Sequence, residues 1–490
     1  MDLIRTSLGL ALLSIACGPA VSTTGTDGDD GSTSSTGAPT TDPTTTPATT
    51  TAPSTSTTGP FTTTSPGDAS SDDGSGSADS TSGSGGCADG QCQLDVVVVV
   101  DNSSNMAGAQ RTLALAMVQL EAQLRAFEAD VQVMFTTTDM GNQLCTPFEP
   151  EGYDPAQGSP IASACTDRLT DFTGLGIDPP SHPEACESVC PTPAAPDGDP
   201  FVAFGPGGEN VPDDGTNTDI DGDGVAETSA ARALACLAPM GINGCGFESP
   251  LEATLQALNP EAPWNAGARP FMRDGAAVGI VVLSDEIDCS VRDPAMMNNT
   301  DLYALDPDSG DPRISSAICW NAASDCTDLG DGTYDCAQTE AEHLQPLERY
   351  RLYLVDYLAQ ELDKPVFMLG LLGVPAVTEH DAMPPYTPTA GGVAQMQFRD
   401  WTEDDVLPED AANGVTAADQ QFTFGIGPSC SRPSSTSRAQ GLPPLRMAEL
   451  CSQLSDGQTT QACCMESICD DDYTAGMRCL AGMLEVSSLD

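Results

Sequence analysis

The chain has 490 residues, with 72 acidic side chains against 17 basic ones and a formal charge of −55. This balance argues against binding to nucleic acid or to anionic lipid, and it favours cations or partners that are basic or bridged by a metal. Nineteen cysteines predict an oxidising compartment, because a cytosol would keep them reduced. Only three histidines are present, and none has zinc-finger spacing with the cysteines, which argues against zinc.

Residues 1–17 have the pattern of a secretion signal. Arg5 precedes an apolar stretch at 8–16, which is too short to cross a membrane and ends in small residues before Cys17. The pattern is similar to a bacterial lipoprotein signal, which implies that Cys17 is lipidated; an ordinary signal peptide is the alternative. Removing Cys17 from nineteen cysteines leaves eighteen, an even number that can all pair. We therefore expect an exported protein, anchored by lipid alone to the outer membrane or cell surface of a Gram-negative bacterium.

Residues 18–86 consist almost entirely of Thr, Ser, Gly, Pro, Ala and Asp. Such a segment cannot bury enough apolar surface to fold, so it is predicted to be a disordered linker. As a flexible tether it would span ~45 Å root-mean-square, enough to hold a folded domain away from a membrane.

The stretch 95–105 is the strongest structural signal in the chain. Five consecutive valines predict a strand that is buried on both faces, as in the middle of a parallel sheet. Apolar residues then recur with helical spacing at Leu113, Met117, Leu120, Leu124 and Phe127. Asp101, Ser103 and Asn105 therefore fall on the loop after the strand, where open α/β sheets bind ligands. Their carboxylate, hydroxyl and amide oxygens suit a hard divalent cation.

Two further buried strands, at 131–135 and 276–283, also lead into polar residues. Thr138 and Asp139 follow the first, either as metal ligands through water or as turn residues, and the turn is favoured. Asp285 follows the second. Between these strands, Ser249 and Pro250 predict the start of a helix at 251–258, with the serine as its cap.

The order of Asp101-x-Ser103-x-Asn105, Glu248 and Asp285 along these elements resembles the von Willebrand factor A (VWA) domain and its metal-ion-dependent adhesion site. The resemblance covers residues 93–374 and implies an α/β fold with a doubly wound, mostly parallel sheet. It also implies Mg²⁺ or Mn²⁺ at this site, with Asp285 as an outer ligand. Asn105 stands where the family has serine, and Glu248 or Ser249 must replace its threonine. A carboxylate there would raise cation affinity and weaken the metal's attraction for an external carboxylate.

The VWA-like domain is assigned to residues 87–374, with disulfide-stapled insertions at 141–244 and 290–340. Cys87 and Cys92 are predicted to clamp the entry to the first strand. A cysteine-rich extension, 375–490, is predicted to pack on the domain, and the whole is similar to cysteine-rich bacterial lipoproteins of myxobacterial type. The first insertion contains a pattern that resembles a calcium loop, formed by Asp219, Asp221, Asp223 and Glu227. The twelfth position is Ala230 rather than glutamate, and solvated turns are the alternative.

Nothing in the sequence predicts an enzyme. His182, His343 and His380 do not accompany a nucleophile motif, and no phosphate-binding glycine loop or HExxH motif is present. We expect a surface protein whose cation accepts a carboxylate from an unknown protein or glycan, without nucleic acid as a partner. The alternatives are a structural envelope protein with a degenerate metal site and, third, an unrecognised secreted hydrolase.

Overall fold

The structure is a computed structural model that describes residues 92–175, 179–339, 342–433, 438–455 and 462–487. The predicted signal, its lipidation residue Cys17 and the predicted tether lie outside the described residues. Cys92 is disulfide-bonded, and its predicted partner Cys87 also lies outside them.

Strands and helices are distributed along all of the described parts of the chain. The strands are β1 (Gln93–Val100), β2 (Asp130–Thr137), β3 (Val202–Phe204), β4 (Ala277–Leu283), β5 (Ala304–Leu305), β6 (Pro312–Arg313), β7 (Ser324–Gly330), β8 (Thr333–Gln338), β9 (Val366–Leu372), β10 (Val377–His380), β11 (Pro388–Gly391), β12 (Phe398–Arg399), β13 (Cys430–Pro433), β14 (Arg438–Gly441) and β15 (Cys463–Ser467). The α-helices are α1 (Ala107–Ala126), α2 (Glu184–Glu187), α3 (Ser229–Leu237), α4 (Pro250–Ala257), α5 (Ala317–Ala323), α6 (Leu347–Arg351), α7 (Pro408–Ala412), α8 (Ala417–Phe424), α9 (Leu445–Ser455) and α10 (Thr474–Ser487). A π-helix, Leu352–Glu361, continues α6.

The core of the protein is a six-stranded sheet with the order β15-β9-β4-β1-β2-β3. All neighbours are parallel except β3, which is antiparallel to β2. β1 lies in the interior of the sheet, and each of its five valines is 0% exposed. The predicted α/β class and mostly parallel sheet are therefore confirmed.

Helices cover both faces of this sheet, as a parallel sheet requires. Because side chains alternate along a strand, Val96, Val98 and Val100 pack in one core with α1, α3 and α10. Val97 and Val99 pack in a second core with α4, α6, the π-helix and α9. The five valines are thus divided between two cores, three in one and two in the other, which explains why they do not alternate with polar residues.

Both edge strands of the sheet come from segments for which the sequence analysis predicted no strand. β3 belongs to the first insertion, and β15 belongs to the C-terminal extension. The helix after β1 was predicted well, except that Phe127 lies beyond the end of α1 and is 37% exposed. The insertion and the extension are therefore parts of the sheet as well as a covering for it.

Disulfides connect the long segments between the strands. All cysteines among the described residues are disulfide-bonded, as predicted for an oxidising compartment. The pairs are Cys145–Cys245, Cys165–Cys186, Cys190–Cys236, Cys289–Cys319, Cys326–Cys336, Cys430–Cys469, Cys451–Cys463 and Cys464–Cys479. Within the described parts of the chain, no helix combines the length and apolar character needed to cross a bilayer.

A buried ion pair joins α9 to the loop after β4. Arg446 Nε lies 2.8 Å from Asp288 Oδ2, and the two side chains are 1% and 0% exposed. We expect Arg446→Met to lower the free energy of unfolding by about 3–5 kcal/mol, because it leaves the Asp288 charge buried without its partner. Denaturant unfolding measures the change.

The double variant Arg446→Met/Asp288→Asn should recover part of this loss, since it removes the isolated charge. Arg313→Met is the matched control: Arg313 pairs with Asp306 but is 49% exposed, so its loss should cost less than about 1 kcal/mol. Equal costs for the two arginine variants would contradict the role assigned to burial.

Candidate metal centre

The predicted site residues lie where the carboxyl ends of β1, β2 and β4 meet. These strands are parallel neighbours, so the loops that follow them share one edge of the sheet. The backbone ladder continues into the loops: the Asp101 amide donates to the Leu283 carbonyl at 2.9 Å, and the Thr138 amide donates to the Val100 carbonyl at 3.1 Å. Asp101 and Thr138 are therefore held at fixed positions on this edge.

The carboxylate of Asp101 is fully buried and is oriented by two of these loops. Its Oδ1 accepts the Ser103 amide at 2.8 Å, and its Oδ2 accepts the Ser284 hydroxyl at 2.8 Å. Gln110 on α1 donates to the Asp101 carbonyl at 2.7 Å. The loop after β1 is thus fastened both to α1 and to the end of β4.

A chain of hydrogen bonds connects the loop after β1 with Asp285. The Ser103 hydroxyl donates to Asn105 Oδ1 at 3.0 Å, and Asn105 Nδ2 donates to Asp285 Oδ2 at 2.6 Å. Ser103 and Asp285 are buried, whereas Asn105 is exposed. Asn105 is therefore the one member of the predicted ligand set that faces solvent.

Glu248 reaches the same edge from the segment before α4. It is 0% exposed, and its Oε2 accepts the hydroxyl of Thr138. Its carboxyl group is close enough to Asp101 for the Asp101 charge to raise the pKa of Glu248. The amide of Ser249 donates to the Thr138 carbonyl at 3.1 Å, which fixes the segment against the end of β2.

Asp139 holds loops together through its carboxylate. It accepts the amides of Gly141 at 2.8 Å and Cys245 at 3.0 Å, and the Tyr153 hydroxyl at 2.5 Å. Gly141 begins the first insertion and Cys245 directly follows it, so Asp139 anchors both ends of that insertion beside the site.

The start of α4 differs from the expectation in its cap. The hydroxyl of Ser249 donates to the Cys289 carbonyl at 2.8 Å and makes no capping bond to the helix. Instead, Asp288 Oδ1 accepts the Leu251 amide and the Ser290 hydroxyl accepts the Glu252 amide, both at 3.1 Å. Ser249 is the N-cap residue of α4 and Pro250 its first residue, as predicted, but the serine side chain makes no capping bond, because side chains from the loop after β4 accept these amides.

Besides Asp139, four buried carboxyl groups share this edge: Asp101, Glu248, Asp285 and Glu286. Burial raises the pKa of each, and the charge of Asp101 raises the pKa of the other three further. None of the leading causes is a basic side chain. The fourth group, Glu286, was missed in the sequence, although its place directly after Asp285 at the end of β4 was a usable signal.

The residues present fit a hard cation. Glu248 Oε1 and Asp285 Oδ1 are buried and have no hydrogen-bond partner among the described residues. Buried polar atoms without partners are rare in folded proteins and indicate a position where an ion or a water molecule binds. A divalent cation is a partner that such oxygens accept, and its charge would offset the repulsion between the carboxylates.

The candidate calcium loop brings a second set of carboxylates together. Asp219, Asp221 and Glu227 offer oxygens within 4.8 Å of one another, and they are the only such carboxylate group among the described residues. Asp223 is outside this trio, and its Oδ1 accepts the Val225 amide at 2.7 Å. Asp219 and Glu227 also accept backbone amides of the loop, so the turn and the calcium interpretations both remain.

Comparison of the chain with protein-family models, with curated proteins and with solved structures found no match.

The raised pKa values of Glu248, Asp285 and Glu286 predict how stability depends on pH. Because folding raises these pKa values, the contribution of these three groups to the stability of the cation-free protein should be greatest below the ordinary carboxyl pKa of about 4 and should be lost as the pH rises through the raised values. A bound cation displaces the protons, so its stabilising effect should grow with pH.

Thermal unfolding with excess Mg²⁺ and with a chelator, from about pH 4 to about pH 8, measures the gap between the two states. We expect the gap to widen as the pH rises and to shrink in Glu248→Gln. A gap that is the same at every pH would contradict the prediction.

Proposed function

We propose that this chain is an exported, lipid-anchored surface protein whose cation centre mediates metal-dependent recognition of a protein or glycan. The observation that carries the proposal is the pair of unpartnered carboxylate oxygens, Glu248 Oε1 and Asp285 Oδ1, in a buried acidic group. Asp101, Ser103 and Asn105 would complete the ligand set around Mg²⁺ or Mn²⁺. Thr138, Asp139 and Ser249 would lie behind these ligands and hold them in position.

The arrangement of strands supports a doubly wound fold of the VWA type. β1 lies between β2 and β4, helices cover both faces, and the Asp101-x-Ser103-x-Asn105 stretch follows β1 directly. Ligands of such sheets bind at the carboxyl ends of the strands. The exposed Asn105 marks the side from which a partner carboxylate would approach the cation.

Attachment through Cys17 and the 18–86 tether is part of the same proposal. Anchored in this way at the outer membrane or cell surface, the centre would stand clear of the lipid. The strongly acidic chain would then meet its partner through the metal, because direct contact with an acidic partner is repulsive at a formal charge of −55.

One observation favours a second candidate, a structural envelope protein that binds no metal. Asn105 Nδ2 donates to Asp285 Oδ2 at 2.6 Å, so an amide already occupies part of the position that a cation would take. In that case the carboxyl groups would be held neutral by their raised pKa values.

Calorimetric titration of the purified protein with Mg²⁺, Mn²⁺ and Ca²⁺ separates the two candidates. We expect saturable binding that Asp101→Asn abolishes, because this substitution removes the buried charge from which the site begins. Asp95→Asn is the matched control, since Asp95 is equally buried at the opposite end of β1 and pairs there with Arg273. No saturable binding, or equal effects of both variants, would favour the structural protein.

The trio in the first insertion is proposed as a separate Ca²⁺ site, supported by its three converging carboxylates. Asp221→Asn should remove a Ca²⁺-binding step and leave Mg²⁺ binding at Asp101 unchanged, because Mg²⁺ demands a tighter geometry than an exposed loop supplies. Asp213→Asn, in the same insertion but outside the trio, is the control. Calcium titration that does not differ between Asp221→Asn and the unsubstituted protein would assign these aspartates to turns alone.

A further inference from the structure

We propose that β7, in the second insertion, is the docking edge for an extended segment of a partner protein that is rich in lysine and arginine and pairs with β7 as an added strand. The inference goes beyond the proposed function, because β7 shares no residue with the cation centre and the pairing needs no metal. It gives the second insertion a part of its own in recognition.

The first argument is topology. β7 belongs to a three-stranded sheet with the order β12-β8-β7, so β8 is its one neighbour among the described strands and its other edge is open. With seven residues, β7 is the longest strand at a sheet edge in the parts of the chain that the structure describes. Extended peptides bind by adding a strand to an edge of this kind.

The second argument is the direction of the backbone groups. Cys326 lies opposite Cys336 in the ladder, and their Cα atoms are 4.1 Å apart. This short distance is typical of the antiparallel pair whose members do not hydrogen-bond to each other, so their N–H and C=O groups point away from the facing strand. On β7 these groups face the open edge, as do those of Asp328, two residues further on. Apart from the ladder with β8, no described residue bonds to the amides of Cys326 and Asp328.

The edge of the central sheet at β3 is closed, in contrast. The side chain of Asn210 accepts the Ala203 amide at 2.7 Å and donates to the Phe201 carbonyl at 2.8 Å, so it occupies the place of a further strand. Such cover protects an edge strand from pairing with other chains. The edge amides of β7 have no equivalent side chain within the described ranges, so this edge is available to a partner.

The hairpin of β7 and β8 presents this edge in a fixed shape. Side chains alternate along β7, with Asp325 exposed and Cys326 half-buried. Cys326 and Tyr334 pack against the core that contains Trp320, and the Cys326–Cys336 disulfide links the two strands. A partner would therefore not have to order the edge before pairing with it, which lowers the entropy cost of binding.

The third argument is charge, which defines the partner. Four exposed aspartates lie on the hairpin: Asp325, Asp328, Asp331 and Asp335. No ion pair within the described residues involves any of them, and Arg313, one of two basic residues in the insertion, pairs with Asp306 instead. A second copy of the chain would bring like charges together at this edge. Lysine or arginine side chains on an added strand would instead lie beside the acids, which favours a basic partner over self-pairing.

The test is binding of a synthetic peptide of alternating lysine and threonine, as long as β7, to the full-length chain in the presence of a chelator. We expect saturable binding by calorimetry, and hydrogen exchange of the Cys326 and Asp328 amides should slow because carbonyls of the peptide accept them. The same peptide with every backbone nitrogen methylated keeps its charge but cannot form the ladder. It should bind at least about tenfold more weakly.

Substitutions in the chain test the charge argument. Asp325→Asn/Asp328→Asn should weaken binding of the unmethylated peptide about tenfold, because two cross-strand charge pairs are lost. Asparagine at 328 keeps an acceptor for the Gly330 amide, which the Asp328 carboxylate accepts at 2.7 Å. Glu128→Gln/Glu261→Gln is the matched control: it removes the same charge from exposed positions after α1 and α4 and should change binding less than about twofold.

Equal binding of the methylated peptide, unchanged exchange at Cys326 and Asp328, or equal losses in the two double variants would mean that the chain attracts basic peptides by charge alone. Each of these results overturns the inference. No binding overturns it as well, and it would assign the acids to protecting the edge from pairing. Because the methylated peptide requires no substitution in the chain, the inference remains testable if a variant fails to fold.

Discussion

The burial of β1 on both faces is the constraint on which the site depends. A strand that is covered by helices on each side and paired with parallel neighbours cannot shift its register without exposing apolar side chains or burying polar ones. The register places Val100 opposite both Thr137 and Leu283. The first polar residues after these three strands must therefore lie side by side, whatever the insertions between them do.

That placement has an electrostatic cost which explains the chemistry of the edge. Asp101, Glu248, Asp285 and Glu286 are buried together, and mutual repulsion adds to the effect of burial in raising the pKa values of Glu248, Asp285 and Glu286. The buried carboxylate of Asp288, in contrast, forms an ion pair with Arg446. Among the described residues no arginine forms an ion pair with these four carboxyl groups, so protons or cations are the available compensation.

The parts of the fold and of the site that could be predicted are those whose signal lies within a short stretch of sequence. β1, β2 and β4 were predictable because each is a continuous apolar run, and Asp101 and Asp285 because they end such runs. β3 and β15 were not, since strands of three and five residues gain their stability from the sheet edge they join rather than from their own sequence. The capping of α4 by Asp288 and Ser290 could not be predicted from the sequence either, because it joins residues almost forty positions apart.

Asn105, the departure from the predicted motif, bridges two other members of the predicted ligand set. An amide donates and accepts, so the same side chain accepts from Ser103 and donates to Asp285 when no cation is present. A serine there could not satisfy both neighbours over the same span, because its hydroxyl is shorter. Yet Asn105 leaves Asp285 Oδ1 and Glu248 Oε1 without partners. Apolar side chains of similar volume would stabilise a purely structural edge better than these acids do, so the acids are best explained by something they bind.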